Sequence, residues 1–356
     1  DSYISGEGGR WAGNANTSPS GDVWGTDRKA DCPDSKDCVY GDTSYDGGNR
    51  CDRSDTSPVT NAVLDGIPGE RHFNIACSGA RTEHIVSEKY QGEVPQAEQL
   101  ARLAKDNDVK MIVVSIGGND LGFSDIIRDC VQRYWVDLFS GTCNPGSPDT
   151  ALQDKLEKTR QGVRTALQKI RSVMTDAGYQ DGDYGLVLST YPNPLPRGAQ
   201  MQYGFPTRYT TGGCPFRNAD ADWAHDQLVP GLNAALSTAA TETGASLLDV
   251  QDAFAGHELC GQNAKQATSA NSRANPLPEA DAEWVRWIPY QFDKSKGWLW
   301  GSQGDKQEAV HPNAYGQKAL SACLTAFAAE AAGSPARPRR FTCAGTPGKG
   351  IDGVGR

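Results

Sequence analysis

No run of 18 apolar residues occurs in this sequence, so nothing in it reads as a membrane-spanning helix. No leader of the secretory type is visible, and the abrupt start at Asp1 leaves room for a segment removed by processing. Cationic residues are in deficit: 35 Lys and Arg face 44 Asp and Glu, a formal net charge of −9. That balance disfavours nucleic acid or an anionic lipid surface as a standing partner, because phosphate binding needs clustered Lys and Arg. A neutral lipid ester or sugar ester stays compatible with it. Apolar residues are sparse, at 37%, whereas Gly (40) and Pro (20) are frequent. The 356 residues suffice for one large α/β domain or two small ones, and the composition favours a compact core with long ordered loops.

Histidines number only five and CxxC pairs are missing, which argues against a zinc site. Ten cysteines nevertheless occur. An even number without metal spacing reads as disulfides in an oxidising compartment, in preference to buried free thiols. Proximity along the chain suggests Cys130–Cys143, Cys214–Cys260 and Cys323–Cys343. The other four allow three pairings, of which Cys32–Cys38 with Cys51–Cys77 is favoured.

What is present alternates between two periods. Residues 12–70 show little periodicity and read as a long disulfide-pinned excursion. His72–Ala76 reads as a short strand and Pro95–Asp106 as an amphipathic helix. Val109–Ile116 is a β-branched apolar run, as expected for a strand buried on both faces of a parallel sheet. Thr150–Ala177 carries a helical apolar stripe. Tyr184–Thr190 and Ala245–Val250 read as further strands, with a helix over Ala219–Thr243 that Pro230 kinks or divides. Asn313–Ala332 closes the pattern as an Ala-rich helix. Residues 333–356, with the basic run Arg337, Arg339 and Arg340, read as a solvated tail tied back by Cys343. Strands alternating with helices predict an α/β/α sandwich with its active site at the carboxyl ends of the strands.

Four short segments carry chemistry: Asp1-Ser2-Tyr3-Ile4-Ser5-Gly6-Glu7-Gly8, Ala76-Cys77-Ser78-Gly79-Ala80, Gly117-Gly118-Asn119-Asp120 and Glu308-Ala309-Val310-His311-Pro312. A serine hydroxyl attacks a carbonyl only when a base takes its proton, and the anion that forms needs donors aimed at it. Ser2, in a Gly-rich turn, and His311, before a Pro that prepares a helix, fit the first pair. The Ser2 and Gly79 amides and the Asn119 side chain fit the second. His72, His84, His225 and His257 stand in contexts better suited to structural roles, His84 being closest to the expected cleft.

In order and spacing the four blocks resemble those of the SGNH/GDSL hydrolase family, and most closely its secreted, disulfide-containing actinobacterial esterases and lipases. The resemblance implies a three-layer α/β/α sandwich with a central parallel sheet of flavodoxin-like type. It implies one domain over 1–332 with insertions at 12–70 and 193–300, and a tail at 333–356. It also implies Ser2 as nucleophile, His311 as general base, and an oxyanion hole of Ser2, Gly79 and Asn119. No metal or organic cofactor is then required, and a secreted monomer acting on a small-molecule or lipid ester is expected.

Two departures stand out. The family usually has Asp three residues before the His; here Glu308 takes that place, to act through its side chain or its backbone carbonyl, with Asp305 as a weaker candidate. A solvated glutamate is the plain alternative. The family also places a central strand before the nucleophile, and Asp1 leaves no room for it. Truncation or cleavage accounts for this better than permutation, since Lys349–Arg356 is too polar to supply the strand. Substrate choice would fall to the aromatic-rich insertion, with Trp298 and Trp300 lining an acyl pocket or stacking on sugar rings. A polysaccharide acetyl esterase, or a non-catalytic binding module on the same scaffold, are the rival readings.

Overall fold

In the computed structural model the described residues are 1–14, 26–27, 51–136, 141–146, 149–288, 308–331 and 337–356. Four strands form one parallel sheet in the order β1 (Met111–Val114), β2 (Gly185–Ser189), β3 (Ser246–Asp252), β4 (Arg340–Ala344). Side chains alternate between the faces as the strand period requires. Leu186, Leu188 and Leu247 enter one core, Val187, Leu248 and Val250 the other. The first core is covered by α1 (Gln96–Asp106), α2 (Thr150–Asp176) and α3 (Val229–Thr243). The second is covered by α4 (Ala314–Ala331). Layers of helix, sheet and helix therefore enclose the strands, which explains their near-continuous apolar runs. A helix stripe such as Leu156, Val163, Leu167, Ile170 and Met174 of α2 contributes roughly 1.5–3 kcal/mol per fully buried large side chain.

One element is divided as the sequence reading allows, and two differ from it. Residues 219–243 are divided: a helix over Asn218–Trp223 passes through a π turn at Ala224–Leu228 into α3, whose first turn holds Pro230. Pro230 has no amide to donate, and the π turn falls immediately before it. The carboxy-terminal segment is no solvated tail. It supplies β4, with Phe341 and Cys343 buried, Arg340 paired to Asp249 at 2.6 Å and the Cys323–Cys343 disulfide joining it to α4. Residues 72–76 form no strand and pair with none among the described residues. A groove of about 610 Å³ separates them from the outer edge of β1, and the strand expected ahead of Ser2 has no counterpart among the described residues. Cys51–Cys77, Cys130–Cys143 and Cys214–Cys260 are also bonded, whereas Cys32 and Cys38 lie outside the described residues.

Candidate active site

Ser2 opens a short helical turn, Ser2–Ser5, that Asp1 caps and that Gly6 ends in the left-handed region at φ 98°. The turn is buried, so the hydroxyl is held and cannot swing freely. Its Oγ lies 2.7 Å from His311 Nε2, a residue 309 positions away. On the other side of the ring, Nδ1 is 3.0 Å from the Ala309 carbonyl. A carbonyl can only accept, so Nδ1 carries the proton and Nε2 presents its lone pair to the serine. Burial pushes His311 down to about 4, against the opposing pull of the Ala309 and Glu308 carbonyls. The imidazole is thus neutral, as a general base must be.

The donors around Ser2 come from three other segments. Gly79 adopts φ 80°, and a Cβ there would sit 2.4 Å from Tyr90 Oη, so only glycine fits the turn. Among the described residues neither the Gly79 nor the Ser2 amide donates to an acceptor. Both are free for an oxyanion. Asn119 follows β1 as expected, yet both protons of its amide are in use, toward Ala80 O at 3.0 Å and Asp1 Oδ2 at 3.1 Å. Asp120 ties this loop to the turn after Gly79 through Thr82 Oγ1 at 2.5 Å.

The Glu308 carboxylate does not face the ring. It is fully buried, so it is not a solvated surface group. Its carboxylate accepts from Trp11 Nε1 at 2.7 Å and lies 3.1 Å from Arg10 Nε, while the His311 nitrogens face Ser2 and Ala309. The ring Nδ1–H donates to the carbonyl one residue later, that of Ala309. Asp305, Trp298 and Trp300 lie outside the described residues. Of the insertion aromatics, Tyr209, Phe216, Trp223, Trp284 and Trp287 are buried and pack the loops themselves. The remaining histidines have other partners: His84 stacks on Tyr90 at 4.2 Å, His225 pairs with Asp226, His257 lies between two carbonyls, and His72 faces Ile67 O.

Sequence reasoning missed Asp1 and Tyr191. The Asp1 carboxylate meets Tyr191 Oη at 2.9 Å and Asn119 Nδ2 at 3.1 Å, and Tyr191 Oη in turn accepts from Gly118 N at 3.0 Å. The one available signal was position, since Tyr191 sits just beyond the carboxyl end of β2.

A lipase of Streptomyces rimosus is 25% identical over 64% of this chain and 71% of its own length. Lipase 2 of Streptomyces coelicolor is 25% identical over 73% and 72% respectively. Among solved structures, the extracellular lipase of S. rimosus superposes with a TM-score of 0.42 at 22% identity, covering 79% of this chain and 91% of that one. Phospholipase A1 of Streptomyces albidoflavus gives 0.45 at 20% identity, covering 91% and 94%. The GDSL-like Lipase/Acylhydrolase family matches residues 39–319, a span that holds Gly79, Asn119 and His311 and begins after Ser2. By that match the chain belongs to the GDSL-like lipase/acylhydrolase family and is a carboxylic ester hydrolase.

Proposed function

We propose that the protein cleaves its esters through an acyl-enzyme on Ser2, acting outside the cell on a small-molecule or lipid ester. The observation that carries this reading is the 2.7 Å approach of Ser2 Oγ to the unprotonated Nε2 of His311. His311 takes the Ser2 proton as Oγ attacks the ester carbonyl, then returns it to the departing alcohol. The developing oxyanion is received by the Ser2 and Gly79 amides. Asn119 joins them by exchanging its bond to Asp1 for one to the oxyanion, and Tyr191 keeps Asp1 in place meanwhile. Water, deprotonated by His311, then releases the acid. The disulfides fit an oxidising compartment, and the extracellular relative supports secretion.

A fluorophosphonate probe and a series of p-nitrophenyl esters test the reading together. The wild-type chain is expected to label stoichiometrically and turn over esters, and Ser2→Ala to lose both, with kcat lower by at least about 10⁴-fold. Turnover that survives in Ser2→Ala would overturn the assignment. The same series, run with short acetyl and long acyl chains, decides between an acetyl esterase and a lipase.

A further inference from the structure

Glu308 stands where a carboxylate would orient the base, yet it turns to the other side of the loop. There it meets Trp11 Nε1 and Arg10, both as buried as itself, and Arg10 also lies 3.5 Å from Asp27. Arg10 and Trp11 belong to the segment that begins with the nucleophile. We propose that Glu308 is a positioning residue, whose carboxylate fastens the His311 loop to the nucleophile segment and so aims the Ala309 carbonyl at the imidazole. The proposal rests on the Ser2–His311 dyad assigned above.

Three observations support it. First, the two segments are in close contact beside the dyad: a Cβ at Gly8 would lie 3.2 Å from His311 Cβ and 3.0 Å from the Pro312 carbonyl. Second, Val310 holds φ 63°, a conformation a β-branched residue adopts only when its surroundings impose it. That turn sets the direction of the preceding carbonyl, the one His311 Nδ1 uses. Third, the strained residue is clamped on both sides. Glu308 secures it upstream, Tyr3 Oη donates to Val310 O at 2.8 Å, and Val310 N donates to Arg286 O at 2.8 Å. Releasing Glu308 would let the turn relax and the carbonyl swing off the ring, with the imidazole misplaced relative to Ser2.

The test is a set of Glu308 variants of the full chain, read as kcat, KM and the acidic limb of the pH–rate profile. Glu308→Ala is expected to lose about 100-fold in kcat, with KM within about threefold and the acidic limb unmoved. Glu308→Gln keeps an acceptor for Trp11 and should rescue kcat to within about tenfold of wild type, while Glu308→Asp, a methylene too short, should not. Wild-type kcat in Glu308→Ala would overturn the proposal. So would a limb displaced by about one unit or more, the mark of a carboxylate acting on the ring directly. Should Glu308→Ala fail to fold, Trp11→Phe removes one donor and keeps the ion pair; a several-fold loss of kcat with an unmoved limb supports the anchor, and an unchanged kcat overturns it. Fluorophosphonate labelling keeps the two readings apart. If wild type is not labelled, the dyad itself fails; if wild type labels and the Glu308 series is silent, only the anchor does.

Discussion

On the proposed mechanism, the imidazole of His311 sets the pH range of the enzyme. An ordinary histidine is half protonated near 6.5, but burial holds this one at about 4. Turnover needs the neutral ring, so kcat/KM should stay flat from pH 7 through 5 and fall with an apparent value near 4. A limb near 6.5 in the measured profile would show that the ring is solvated during catalysis. Stability follows the same sign. Between about 4 and 6.5 the unfolded chain binds a proton that the folded chain refuses, so this contribution is complete above 6.5 and is lost as pH falls toward 4. Gly79 gives a second residue-scale expectation. Alanine there meets Tyr90 Oη and must hold φ 80°, so its amide would leave the position proposed for the oxyanion. A loss of about 10²-fold or more in kcat is expected from steady-state rates, with KM little changed.

At the scale of elements, what was legible depended on whether an element is defined by its own residues or by its neighbours. Met111–Val114 is apolar and largely β-branched and residues 186–188 are apolar because both faces of the sheet are covered, and that signature survives in one dimension. Arg340–Ala344 alternates exposed and buried residues beside prolines and arginines, so its pairing with β3 is written in the partner and not in its own sequence. The site divides the same way. Ser2, Gly79, Asn119 and His311 sit in compact blocks whose residue types announce their chemistry. Asp1, Tyr191, Arg10 and Trp11 act through contacts with distant chain, and nothing local marks them. Phe341 tests whether β4 is part of the core. It is 2% exposed and meets Phe327 edge-on at 6.1 Å. Phe341→Ala should cost about 3–5 kcal/mol in denaturant unfolding, the range for a large core side chain. A cost below about 1 kcal/mol, as for a surface position, would return the segment to the status of a tail.

Over the whole molecule, disulfides link segments that lie far apart in sequence, and two of them separate stability from catalysis. Cys51–Cys77 and Cys323–Cys343 span 26 and 20 residues, so each should contribute about 3 kcal/mol by restricting the unfolded chain. Their surroundings differ. Cys77 is two residues before Gly79, and Ser78 N donates to the Cys51 carbonyl at 3.0 Å, so the first bond also frames the turn proposed to receive the oxyanion. Cys323 and Cys343 join α4 to β4 in the second core, and neither belongs to the four blocks. Replacing either pair by serine should therefore lower the unfolding midpoint by a similar amount. Measured well below that midpoint, kcat should fall only when Cys51 and Cys77 are replaced. Equal losses of kcat in both double variants would mean that the disulfides act on catalysis through overall rigidity, and the oxyanion turn would lose its separate dependence on Cys51.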